Sequence, residues 1–134
     1  MTHLKTLVMA GLVLACGVAQ AAPAALYTSA QATAGADVYT QSCALCHGDA
    51  LQGVAAPGLK GQAFAPAGKG YTIGSVFAQI SSQMPDNAPG TLSNTQYEDV
   101  MAYLLAQNGY PAGTTALDFK SSLASTQPFV SQVP

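Results

Sequence analysis

The stretch Cys43-Ala44-Leu45-Cys46-His47 constrains this chain more than any other part of it. Thiols three residues apart lie on one side of a helical turn, and the adjoining histidine is carried on the same face. C-x-x-C-H is the pattern of c-type haem attachment. Each thiol adds to one vinyl group of the haem, and the second thioether then holds His47 close to the iron. Two covalent bonds fix the cofactor for the life of the chain, so the fold has to wrap one flat apolar group. Three other uses of the residues fit less well. A structural zinc site wants four ligands, typically two such pairs. A thioredoxin-like dithiol expects a βαβ context, and a plain disulfide leaves His47 without a role.

The N-terminus names the compartment. Lys5 closes a short cationic region, residues 6–18 are an apolar run, and Ala19-Gln20-Ala21 is a small-x-small cleavage site. That order of parts is a secretory signal, removed on export, and the run falls short of the roughly 20 apolar residues that span a bilayer. The expectation is a signal peptide over 1–21 and a periplasmic mature protein with no transmembrane segment. Val13-Leu14-Ala15-Cys16 loosely resembles a lipoprotein box and leaves a lipid anchor on Cys16 as a minor alternative.

Cleavage after Ala21 sharpens the inventory. The mature chain keeps Cys43 and Cys46, one histidine (His47) and two methionines (Met84 and Met101). With a single histidine, a second axial ligand has to be a thioether. Met101 falls mid-helix beside Val100 and Tyr103, where a flexible core filler is expected. Met84 precedes Pro85 at the point where a helix must break, free to turn its sulfur toward a metal. The expected axial pair is therefore His47 and Met84 on one covalent haem c, a soft donor set that raises the reduction potential and favours electron transfer.

Only 7% of the residues are charged, against roughly a quarter in an ordinary soluble protein. After cleavage, Lys60, Lys69 and Lys120 face six Asp and Glu. Three lysines cannot track a phosphate backbone, which excludes nucleic acid as a partner. Hydrophobic residues make up 49%, so this is no disordered chain.

The organisation is all-α. Residues 22–30 are a short Ala-rich linker without periodicity. A helix is expected from Ala30 to Cys46, with Gly35, Tyr39 and Cys43 on one stripe and Gly48 after its end. Gly and Pro make 48–70 a loop. A second helix is expected over 72–83, where Ile73, Val76, Phe77 and Ile80 share a face. A third, capped by Ser93 or Asn94, carries Val100, Tyr103 and Leu104 centrally, Met101 and Leu105 less so, and stops at Asn108-Gly109. Residues 113–134 are a Ser/Thr/Gln-rich extension, expected to drape over the domain or to be partly disordered.

These landmarks, in order, resemble the small soluble class I cytochromes c: Gly35, Tyr39 and the Cys43–His47 motif, then Pro57-Gly58-Leu59-Lys60-Gly61, then Met84-Pro85, then Tyr103-Leu104. The resemblance runs from about Ala30 to Ala112 and places a cytochrome c domain over 31–112. It implies a cytochrome c fold of three to four helices wrapped around one haem with long Gly/Pro loops. It implies that Gly35 lets the first helix cross close to the last, and that Tyr39 packs on Tyr103. It further implies that the carbonyl of Pro57 accepts the His47 ring N–H and that Leu59 packs on the haem. The family often supplies an arginine near the haem propionates. This chain has none, and Tyr71, Lys69 and Gln62 are the candidates to stand in. A weaker resemblance, over the sequence after Ala102, is to cytochromes accompanying periplasmic dehydrogenases.

The function implied is that of a one-electron carrier rather than an enzyme, free or as a subunit of a dehydrogenase complex. Its partners would be a dehydrogenase donor and an oxidase or other cytochrome acceptor. A haem sensor or peroxidase-like protein with a labile sixth ligand is the alternative.

Overall fold

The computed structural model describes residues 22–134; the leader, Cys16 included, lies outside them. Five helices follow in order: α1 (Ser29–Ser42), α2 (Ala44–His47), α3 (Ile73–Gln83), α4 (Asn94–Gln107) and α5 (Phe119–Leu123), with a single 3-10 turn at Ala67–Lys69. There is no strand among the described residues, only two isolated bridges, Thr28 with Gly113 and Thr72 with Pro128.

Each of the three long helices starts on a reciprocal cap. Thr28 and Gln31, Thr72 and Ser75, and Ser93 and Gln96 each exchange side-chain and backbone hydrogen bonds. Such a cap satisfies two otherwise orphaned N–H groups and is worth about 1 kcal/mol. It also explains why α1 begins at Ser29, one residue before the expected start. The end of α1 differs more. The continuous helix expected as far as Cys46 is broken at Cys43, whose φ of −127° and ψ of −35° leave the helical range. The last turn is thereby re-aimed as the separate α2.

The pairing of α1 with α4 forms the frame. At Gly35 the two helices come so close that a β-carbon would overlap the carbonyl of Asp99 and lie 2.9 Å from Cβ of Tyr103. Eight residues further along α1, Cys43 enters the turn just described, so this crossing sets where that turn stands.

Helix α4 is buried on two sides. Val100 and Leu104 join Tyr39, Ala44 and Leu51 in one apolar cluster. Tyr97, Met101 and Leu105 join a larger one with Ile73, Phe77 and Phe129. Met101 and Leu105 are therefore central rather than peripheral, both fully buried. A helix between two cores needs apolar residues on both flanks, which a single-face reading cannot assign.

Part of that larger cluster comes from the C-terminal residues. Phe129 is fully buried, and the segment around it is fastened by backbone hydrogen bonds: Phe129 N to Tyr71 O at 2.9 Å, Ser131 N to Ala65 O at 2.9 Å and Gln132 N to Asn108 O at 2.8 Å. Tyr27, in the stretch without periodicity, is buried too, its hydroxyl donating to Tyr110 O at 2.7 Å.

Candidate haem site

The cysteine turn is built on backbone geometry. Cys43 N donates to Tyr39 O at 2.8 Å, keeping the link to α1, while Cys43 O accepts from Cys46 N and His47 N at 3.2 and 3.0 Å. Gly48, at φ 83°, then ends the turn in a conformation that a side chain would strain. Both thiols are free, Cys43 half-buried and Cys46 exposed. Burial first, and the neighbouring Cys46 second, push the Cys43 thiol up to about 11, so it keeps its proton at neutral pH.

The chain next folds back around this turn. Cys46 O accepts three N–H groups, from Val54, Ala55 and Ala56 at 3.1, 3.0 and 2.9 Å, and His47 O accepts Gly53 N at 2.7 Å. Gly48 O accepts the Tyr39 hydroxyl at 2.8 Å. Burial, with smaller contributions from Cys43, Tyr103 and Asp49, raises that hydroxyl to about 12, so it remains a donor. Leu51 turns the loop at φ 59° with its side chain buried, a conformation that costs about 1–2 kcal/mol.

The loop delivers Pro57 O to within 2.7 Å of His47 Nδ1. A carbonyl oxygen can only accept, so Nδ1 carries the ring proton. In the neutral ring the lone pair is then on Nε2, the atom a metal would use. Tyr39 meets Tyr103 with ring centroids 5.2 Å apart at 47°. Leu59, Cys43 and Ile80 are half-buried against the Tyr39–Leu51–Val100–Leu104 cluster. Ile80 stands one turn before Met84, which closes α3 with extended backbone (φ −120°, ψ 153°) and a half-buried side chain. Met101 lies instead in the larger cluster, in which Cys43, Cys46 and His47 take no part.

Two residues that pattern reading missed hold these pieces. The Tyr97 hydroxyl donates to Met84 O at 2.7 Å. Asn108, fully buried, donates to Leu59 O at 3.0 Å and Leu104 O at 2.9 Å and accepts from Gly61 N at 3.1 Å. Asn next to Gly at a helix end reads as a stop signal, and its second use leaves no mark in the pattern. Two of the candidate propionate partners are engaged elsewhere: Gln62 donates to Ser131 O, and the Lys69 ammonium lies 5.6 Å from the centroid of the Tyr71 ring.

The donor set fits a covalently attached haem. Two free thiols and an imidazole whose Nδ1 faces a carbonyl stand at positions 43, 46 and 47 around one turn. No group of three or more His, Cys, Asp or Glu side chains arranged to hold a bare metal ion occurs among the described residues.

Helices packed around a C-x-x-C-H turn whose histidine is fixed by a backbone carbonyl define a small c-type cytochrome. The chain belongs to the family described as cytochrome c oxidase, cbb3-type, subunit III, whose model matches residues 30–104. In fold it is similar to a chain of the sulfane dehydrogenase SoxCD from Paracoccus pantotrophus, with a TM-score of 0.56 and 23% identity over 69% of this chain. The match spans about half of that chain, 51% of its length. No curated protein matches the sequence. Membership of a cytochrome c family implies haem-based electron transfer. No helix among the described residues is long and apolar enough to cross a membrane.

Proposed function

We propose that this chain is a periplasmic one-electron carrier, exported with cleavage after Ala21, that works free or as a subunit of a dehydrogenase complex. Cys43 and Cys46 would hold one haem c by thioethers, and His47 Nε2 and the Met84 sulfur would supply the donors to its iron. When bound, the haem supplies a centre that takes up and gives back one electron. The observation that carries this reading is the 2.7 Å contact between His47 Nδ1 and Pro57 O. It fixes the tautomer, orients the ring and makes Nε2 a better donor. Leu59 and Ile80 contribute apolar surface beside the cysteine turn, which would shield the bound group from water.

The burial of Met101 supports Met84 as the sixth ligand, since the mature chain has no third methionine. The family description and the likeness to a dehydrogenase chain fit a donor that is a dehydrogenase and an acceptor that is an oxidase or another cytochrome. The test is Met84→Ala. The variant should lose the thioether–iron absorption band at the red end of the ferric spectrum and gain affinity for CO. A wild-type protein that binds CO as readily as the variant would favour the sensor or peroxidase-like reading. A haem stain that survives denaturation, applied to the periplasmic fraction, tests attachment and location together.

A further inference from the structure

The segment after Met84 returns to α4 and is gathered on one atom, the Met84 carbonyl oxygen. That oxygen accepts the Tyr97 hydroxyl at 2.7 Å and Gly90 N at 3.3 Å. The same hydroxyl accepts Leu92 N at 3.4 Å, so one phenol holds both ends of the 84–92 loop. Met84 N is still bonded to Ile80 O at 3.2 Å, which anchors the residue to α3. Tyr97 as a residue is only 3% exposed, packed in the larger cluster with Phe77 and Met101. Its hydroxyl therefore has a fixed origin, and the bond reaches from a rigid helix to a loop with few other ties.

We infer that Tyr97 is a positioning residue for Met84: its hydroxyl fastens the Met84 backbone to α4 and thereby sets how readily the Met84 sulfur gives way to a small exogenous ligand. The inference rests on Met84 being the sixth ligand. A buried hydrogen bond to a carbonyl contributes a net stabilisation that corresponds to a few-fold to about tenfold change in an equilibrium. Removing it should free the loop by that factor without altering the iron's other neighbours. Tyr97 in this way shifts, by that factor, the balance between the Met84 sulfur and an exogenous ligand.

The test compares Tyr97→Phe with Tyr27→Phe in the haem-loaded protein. Tyr27 is an internal control, since it is equally buried and its hydroxyl also donates to a backbone carbonyl at 2.7 Å, away from Met84. Both variants keep the ring. The readouts are the affinity of the ferric protein for imidazole and the intensity of the thioether–iron band. Tyr97→Phe should bind imidazole a few-fold to about tenfold more tightly with a weakened band. Tyr27→Phe should lower the unfolding midpoint and leave both readouts as in wild type. Equal effects from the two variants, or none from Tyr97→Phe, would overturn the inference. Met84→Ala separates this from the underlying reading. If that variant leaves the band and the imidazole affinity unchanged, the ligand assignment falls and Tyr97 with it. If it changes them while Tyr97→Phe does not, the positioning role alone falls.

Discussion

Phe129 stacks on Tyr110 with ring centroids 5.7 Å apart and planes 9° from parallel, and its other side meets Phe64 edge-on at 5.7 Å. The C-terminal stretch thus completes the larger core. Phe129→Ala should destabilise the protein by about 3–5 kcal/mol, the usual cost of emptying a buried aromatic site. Urea unfolding followed by far-UV circular dichroism gives the value, and a loss under about 1 kcal/mol would mean that the segment is dispensable to the core.

Gly35→Ala is expected to be costly for a different reason. The added methyl group overlaps backbone, the Asp99 carbonyl, which cannot rotate away. Overpacking of this kind costs about 1–3 kcal/mol or more, and relief has to come from separating α1 and α4. Because Cys43 follows on α1, a change in the haem absorption spectrum should accompany the lower midpoint.

Asp99 gives stability a pH dependence of defined sign. Burial, and secondarily the adjacent Glu98, raise its carboxyl above 3.8. In the window above that value the folded state holds a proton that the unfolded state has released, so stability falls as pH rises through it. Asp118 works the other way below that window, lowered chiefly by the Ser121 N–H that it caps. Asp99→Asn should flatten the decline that sets in above that value and be more stable than wild type once it is complete. Unfolding midpoints measured across that window check the slope.

The lack of charge predicts how the protein meets its redox partners. Leu45 and Val54, 92% and 71% exposed, flank the exposed Cys46, and Asp49 is the single charged residue between Cys43 and Leu59. The bimolecular electron-transfer rate should vary little with ionic strength. Leu45→Ser should lower it about tenfold, as expected for losing roughly 1.4 kcal/mol of apolar burial. A steep fall in the wild-type rate with added salt would contradict this.

What could be read ahead of the structure was whatever depends on neighbours along the chain. The C-x-x-C-H motif, the bodies of the three long helices, the cap of the last of them and the glycine at 48 all follow from local spacing. The packing of Tyr39 on Tyr103 and the close pass at Gly35 came through family resemblance, since no periodicity contains them. Tyr97, Asn108 and Phe129 were illegible. Tyr97 and Asn108 act through hydroxyl and amide groups on carbonyls distant in sequence, and only the fold supplies those partners. Phe129 sits in a Ser/Thr/Gln-rich stretch whose average polarity masks one decisive aromatic. The break at Cys43 was missed because a helical stripe runs straight through it.

The three N–H groups that converge on Cys46 O come from successive residues, and the next residue is the one whose carbonyl meets His47. The loop therefore works as a ruler. The bonds come from the backbone at 54, 55 and 56, so replacements there that keep the N–H should leave the imidazole where it is. Its length is another matter: one residue more or fewer between His47 and Pro57 moves the carbonyl by more than 3 Å along the chain. Homologous chains that keep this turn should vary in the letters of that loop and agree in its count.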